Sequence, residues 1–256
     1  MKNLLLILVF FTCFSTKADC SSSGISYWPN DKIQKNGFLI VTGYANSQTI
    51  ILNLNKKYPI YLKSKNEKIR LLVKEIYVGD FNLTQVVVIA EKELTSGDIY
   101  EMVIENLADY QQNEYKRYDS AIRSFVAPIW KTESRQDNLK PTWISKPREQ
   151  NKIFESYGCG PEMFVSFSLS ILEAPERIVR AKMKDIESGK TTTFYVEIEN
   201  STISIGHGMC SGGFKFGKSS LYEIEFDLVD SSGNVCSWEE SPIVFEKPTF
   251  ENRRKK

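Results

Sequence analysis

Short apolar runs, broken every few residues by turn-forming side chains, dominate this chain, and helical periodicity is nearly absent. Gly37 to Gly43 reads Gly-Phe-Leu-Ile-Val-Thr-Gly, the pattern of a buried strand. Thr49 to Leu54, Ile60 to Lys63, Ile69 to Val78, Gln85 to Ala90 and Tyr100 to Ile104 continue the series, with Gln-Val-Val-Val-Ile-Ala at 85–90 the most apolar. Short strands with turn signals about every 8–12 residues predict a β-sandwich. A polar stretch follows from Ala108 to about Lys140, interrupted by the apolar Phe125 to Trp130, part of which is expected to pack on a domain. The strand pattern restarts at Pro141-Thr142-Trp143-Ile144. Met163 to Ile171 alternates as a strand with one buried face should, which places Met163, Val165, Phe167 and Leu169 inward and Phe164, Ser166 and Ser168 on the other face. Runs at 177–183, 191–198, 202–205, 222–229 and 243–245 complete it. The expected fold is all-β: a first sandwich over 20–110, a linker over 111–138, a second sandwich over 139–248 and a basic tail over 249–256.

The chain opens with Met1-Lys2-Asn3 and an apolar run from Leu4 to Phe14. A positive start, about ten apolar residues and then small polar ones make a secretory leader, with Thr16 and Ala18 before a cut at Asp19. The run is short of the roughly 20 residues of a membrane helix. Residues 1–18 therefore read as a signal peptide, and the expected location is secreted, periplasmic or on a bacterial cell surface. Asp19 departs from the small residue that a bacterial lipidation site places before its cysteine, so no lipid anchor is expected on Cys20. No second long apolar run exists, and no membrane span is expected in the mature chain.

Composition narrows the function classes. The 256 residues are 41% hydrophobic and 25% charged, with 33 Lys and Arg against 32 Asp and Glu. That excludes wholesale disorder and argues against charge-driven nucleic-acid binding. Of the five cysteines, Cys13 leaves with the leader, and Cys20, Cys159, Cys210 and Cys236 remain in a chain bound for an oxidising space. Their spacings contain no Cys-x-x-Cys, so structural disulfides are expected rather than zinc or redox chemistry. Three pairings are open. Cys159 before one strand and Cys210 at the end of another could share a pole of the second sandwich, which favours Cys159–Cys210.

Candidate chemistry is sparse. His207 is the single histidine, with no second imidazole for a metal and no marked nucleophile, so a structural role is expected. Gly206 to Gly217 is glycine-rich, but a strand-like run and not a helix follows it, which excludes a phosphate loop of the usual kind. Asp230-Ser231-Ser232-Gly233-Asn234 puts oxygens at calcium-loop intervals, yet its glycine is misplaced and a hairpin turn is preferred. Glu91 with Glu93, and Glu239 with Glu240, are carboxylate pairs without a visible cleft. Trp28, Trp130, Trp143 and Trp238 could form a sugar platform or pack at domain ends. Asn82-Leu83-Thr84 and Asn200-Ser201-Thr202 match the glycosylation sequon, incidental in a bacterial protein.

Leu94-Thr95-Ser96-Gly97-Asp98-Ile99-Tyr100 resembles the Leu-x-x-Gly-x-x-Tyr corner of fibronectin type III and other immunoglobulin-like domains. Leu221-Tyr222-Glu223-Ile224-Glu225-Phe226, followed by Asp230 to Asn234, resembles strand F and the F–G turn of bacterial immunoglobulin-like repeats, although the glycine before Tyr222 is off the corner spacing. The resemblance implies two consecutive immunoglobulin-like domains, with Tyr100, Tyr222, Asp230 and Asn234 as structural residues, in a secreted protein whose sandwiches adhere or space. The expected function is non-enzymatic, without cofactor, toward an unknown protein or glycan. The competing readings are glycan binding through exposed aromatics and a hydrolase accessory piece.

Overall fold

The computed structural model describes residues 23–133, 140–172, 176–240 and 242–252. The predicted leader, Cys20 and the end of the basic tail lie outside them. The first half contains β1 (Gly24–Trp28), β2 (Lys32–Ile33), β3 (Leu39–Tyr44), the helix α1 (Gln48–Leu52), β4 (Ile60–Lys63), β5 (Lys68–Val78), β6 (Leu83–Ala90), β7 (Ile99–Ile104), β8 (Arg117–Asp119), β9 (Ser124–Val126) and β10 (Ile129–Thr132). The second contains β11 (Trp143–Tyr157), β12 (Gly160–Ile171), β13 (Arg177–Asp185), β14 (Thr191–Glu197), β15 (Thr202–His207), β16 (Leu221–Asp230), β17 (Val235–Ser237) and β18 (Ile243–Glu246).

In the first sandwich β1-β3-β6-β5 make one layer and β4-β7-β10-β2 the other. β5 serves both, pairing β6 along most of its length and β4 through Lys68 to Arg70. Ile25, Leu39, Val41, Val86 and Val88 meet Leu62, Tyr100, Met102 and Trp130 in one core. Two expectations are corrected here. Thr49 to Leu54 is not a strand: it lies largely in α1, whose Ile50 and Ile51 are buried. An apolar run this short carries no period to tell helix from strand. Gly43 makes room for it, since a Cβ there would lie 2.4 Å from Ile51 Cγ1. Residues 111–138 are not simply a linker either. Ile129–Thr132 pairs with β7 and, in parallel, with β2 as the closing strand of the first sandwich. Trp130 is fully buried there, its indole N–H donating to the Pro29 carbonyl at 2.8 Å.

In the second sandwich β11-β12-β15 face β14-β13-β16, with β17 and β18 both on the outer edge of β16. Met163, Val165, Phe167 and Leu169 point into its core, as the alternation predicts, against Val179, Phe226 and Phe245. Each sandwich has its own tyrosine corner. The Tyr100 hydroxyl accepts the Thr95 N–H at 2.9 Å and donates to the Glu67 carboxylate. The Tyr222 hydroxyl accepts the Gly217 N–H at 2.7 Å. In both cases the partner is five residues upstream, so the corner spacing is kept although the glycine position is not.

The two sandwiches are stacked face to face. Trp28, Phe38, Ile40 and Val87, on the outer face of the β1-β3-β6-β5 layer, meet Ile178, Tyr195 and Val229, on the outer face of the β14-β13-β16 layer. The Gln85 side chain closes this contact as a surrogate strand: its amide N–H donates to the Tyr195 carbonyl at 3.0 Å and its carbonyl accepts the Tyr195 N–H at 2.8 Å. The β5–β6 turn enters the second sandwich. Asp80 N–H donates to Gly213, Phe81 exchanges backbone bonds with Gly212, and the Asp80 carboxylate accepts from Lys190, Thr192 and the Lys215 N–H.

Two stability measurements follow. Tyr100→Phe removes the hydroxyl that holds both the Thr95 N–H and the Glu67 carboxylate, and is expected to cost about 1–3 kcal/mol in urea unfolding. The Tyr100 hydroxyl, then Lys92, hold the Glu67 carboxyl below its usual value. Its contribution is therefore complete above the unfolded value of about 4.3 and fades as pH falls through the lower folded value. The gap between wild type and Tyr100→Phe should narrow below about pH 4; a gap that widens with acid contradicts the assignment. Gln85→Ala orphans both backbone groups of Tyr195 and is expected to cost about 1–3 kcal/mol. An unchanged urea midpoint would show that the surrogate pairing contributes nothing.

Candidate functional site

The glycine-rich segment is a receptor for the β5–β6 turn. At Gly206 φ is +146° and a Cβ would lie 1.9 Å from the Met163 carbonyl oxygen; at Gly212 a Cβ would lie 2.2 Å from His207 Cβ. Side chains there would prevent β15 from meeting β12 and Phe81 from docking. His207 is buried at the same contact, its ring edge-to-face with Phe81 at 5.6 Å and its Nδ1 2.9 Å from the Gly208 carbonyl. Burial lowers its pKa, which favours the neutral ring. Its surroundings are those of a packing histidine.

Asp230 turns its own loop. One carboxylate oxygen accepts the Ser232 and Asn234 N–H groups at 2.9 and 2.8 Å, and the other accepts the Asn234 side-chain amide at 2.9 Å. These oxygens are spent on the turn. The turn then packs on the first sandwich, Gly233 against Phe38 and the Ser232 carbonyl accepting from Asn36 at 2.6 Å. Glu91, Glu93, Glu239 and Glu240 are exposed. Among the described residues no group of three or more His, Cys, Asp and Glu side chains is placed to hold a metal ion.

Cys159 and Cys236 are free thiols, so the favoured Cys159–Cys210 pair is not formed. Cys210 is in a disulfide, and one sulfur makes one such bond. The shared-pole argument itself holds, because a Cβ on Gly160 would lie 3.8 Å from the Met209 carbonyl oxygen. Proximity of loops did not decide the partner.

The tryptophans do not form one platform. Trp130 is in the first core, Trp28 is at the domain junction, and the partly buried Trp143 and Trp238 pack edge-to-face at 6.2 Å. An exposed cluster of large apolar side chains lies instead on the β8–β9 hairpin, inside the stretch that reads as linker. Tyr118 pairs with Phe125 across it, ring to ring at 5.4 Å, and Ile122 stands at the tip. These side chains are 58%, 47% and 63% exposed. The hairpin is nonetheless held firmly. The Arg117 guanidinium stacks over Tyr27 and Trp130 at 5.7 and 5.5 Å and donates to the Asn30 carbonyl at 3.0 Å. Asp119 accepts the Ala121 and Ile122 N–H groups and so fixes the tip. Lys116 and Arg123 flank the apolar surface and make no ion pair among the described residues. The sequence signal was present, a turn-forming Asp119-Ser120 between two short runs, but polar neighbours on both sides obscured it.

A second concave feature lies at the domain junction. A cavity of about 300 Å³ opens between β1, β3 and β6 on one side and β12, β14 and β15 on the other. Trp28 and Glu197 line both it and an adjoining open groove.

No protein-family model matches the chain, and no curated protein matches it. Solved structures are similar to it only distantly. A type I pullulanase from Bacillus subtilis str. 168 complexed with maltose is 13% identical, with a TM-score of 0.25, over 80% of this chain and 24% of the pullulanase. A tetra-tandem repeat from the extending region of a large adhesion protein is 10% identical, with a TM-score of 0.25, over 88% of this chain and 49% of the repeat. The plexin A4 extracellular region is 9% identical, with a TM-score of 0.20, over 88% of this chain and 24% of the plexin. The chain thus spans between a quarter and a half of these proteins, and no residue role is carried over from them.

The thiol assignment is open to direct measurement. Alkylation of the unreduced, native chain should label Cys159 and Cys236 and spare Cys210, as read by peptide mass. A protected Cys159 would restore the Cys159–Cys210 pair.

Proposed function

We propose that the protein is an exported, non-enzymatic interaction module. Two stacked immunoglobulin-like sandwiches form one rigid mount, and the β8–β9 hairpin is the surface it presents to a partner protein. The hairpin carries this reading. Large apolar side chains are exposed elsewhere too, among them Val78, Ile99, Ile129 and Ile144, but Tyr118, Ile122 and Phe125 stand together on one hairpin that Arg117 and Asp119 hold in a fixed geometry. Exposed apolar clusters rimmed by polar residues mark interaction sites, and rigid aromatics anchor them at low entropic cost. Lys116 and Arg123 favour a partner whose apolar pocket has an acidic rim. Export is supported by the leader pattern of Met1 to Ala18.

The test uses full-length chain on beads, with adherence to the surface of the producing cells as the readout. Ile122→Asp and Phe125→Ser touch no core, so their unfolding free energies should stay within about 0.5 kcal/mol of wild type. Adherence is expected to fall about tenfold in each, the loss of one anchor. Adherence equal to wild type in both variants would reject the hairpin as the presented surface.

A further inference from the structure

The domain junction is stacked but not filled. The cavity of about 300 Å³ has apolar walls from Trp28, Ile40, Phe164 and Tyr195. Past Trp28 and Glu197 it continues into a groove of about 840 Å³ whose polar lining is Asn30, Ser170, Ser201 and the oppositely charged Glu176 and Arg177. Cavities of this size at domain boundaries, with aromatic walls and a few converging polar groups, are where small ligands bind.

The polar groups decide the class of ligand. Two of them are already occupied: the Gln85 amide by Tyr195, and the Ser204 hydroxyl, 3.3 Å from the Ser166 hydroxyl. Four others around the same space make no hydrogen bond among the described residues: the Glu197 carboxylate, the Ser26 and Thr42 hydroxyls and the Trp28 indole N–H. Partial burial, and then Glu199, push the Glu197 pKa up, although the side chain keeps an exposed edge at the cleft mouth. The set contains an acceptor, two groups that both donate and accept, and a donor, against apolar ring walls. A hydrocarbon would leave all four unpaired. An ammonium ion would serve Glu197 and leave the rest. A ring that carries hydroxyls on its rim and C–H groups on its faces serves all four and packs on the aromatics.

We propose that the junction cleft binds a sugar residue of a neutral oligosaccharide, with Glu197, Thr42, Ser26 and Trp28 bonding its hydroxyls and the adjoining groove taking the next sugars. Both sandwiches contribute, so the site exists only in the stacked arrangement. It shares no residue with the β8–β9 hairpin and stands or falls separately from it.

The experiment is calorimetric titration of the full chain with maltohexaose, cellohexaose, laminarihexaose, xylohexaose and mannohexaose, and with a chitosan hexamer as the cationic control. At least one neutral hexamer should bind saturably, with an affinity that added salt does not change. Thr42→Val keeps side-chain shape and removes the hydroxyl; Glu197→Ala removes the acceptor. Each should weaken binding about tenfold or more, because the sugar hydroxyls are then left unpaired. Ser26→Ala, on the exposed side of β1, repeats the test without risk to folding, and Ile122→Asp should bind as wild type. Three results would each overturn the proposal: no saturation by any neutral hexamer, binding of the chitosan hexamer alone with loss in salt, or wild-type affinity in Thr42→Val, Glu197→Ala and Ser26→Ala together.

Discussion

The stacking of one sandwich's outer sheet face on the other's is the constraint from which the rest follows. A sheet in a free-standing sandwich turns one face to the core and the other to water, and its strands alternate accordingly. Here β3 and β6 are apolar on both faces, because Ile40 and Val87 need a cover as much as Val41 and Val86 do. The cover is Ile178, Tyr195 and Val229. Once that contact exists the edge of β14 meets the first sandwich, and its backbone needs partners there. Gln85 supplies both from one side chain. The Asp80 turn, the glycines that admit it and the Asn36–Ser232 bond belong to the same interface. The outer face of β13 and β16 changes character where cover ends: Ile178 and Val229 give way to the ion pairs Arg180–Asp227, Lys182–Glu225 and Lys184–Glu223.

The all-β class and the strands of the second sandwich were legible because period-2 alternation is a local property. Met163 to Leu169 face the core as their spacing predicts. What failed was what depends on something distant. The continuous run at Gln85 to Ala90 announces a strand buried on both sides, but no residue in it names the covering surface. Thr49 to Leu54 gave too few residues to separate helix from strand. Trp130 and its neighbours form a strand only because β7 and β2 offer edges on either side. Cys210 has a loop-mate in Cys159 that is not its partner.

The tyrosine corners show how a motif should be read. The Leu-x-x-Gly pattern before Tyr100 is one way to make a chain reversal. The hydrogen bond requires only that a backbone N–H five residues upstream face the hydroxyl, and Thr95 and Gly217 both do so. Gly97 lies open, with nothing near a Cβ, at a φ of +80°, so its place in the pattern is backbone conformation and not room. A search keyed to the glycine finds the first corner and passes over the second. The tyrosine position relative to the strand start is the more general signal.

The polar chemistry of this chain is mostly consumed by its own architecture. Asp230 is spent on a turn, Asp80 on a domain contact, Glu67 on a tyrosine, and His207 on packing. Two places among the described residues gather side chains that this architecture does not use. On the hairpin, Arg117 and Asp119 hold the backbone rigid while the apolar side chains point away from the protein, an arrangement that lowers stability unless something covers them. In the junction cleft, the Glu197 carboxylate stands at the mouth beside the Ser26 and Thr42 hydroxyls, with no protein donor among the described residues. Both places lie on surfaces a partner can reach, and the clustering of side chains there, more than any motif, locates where binding belongs.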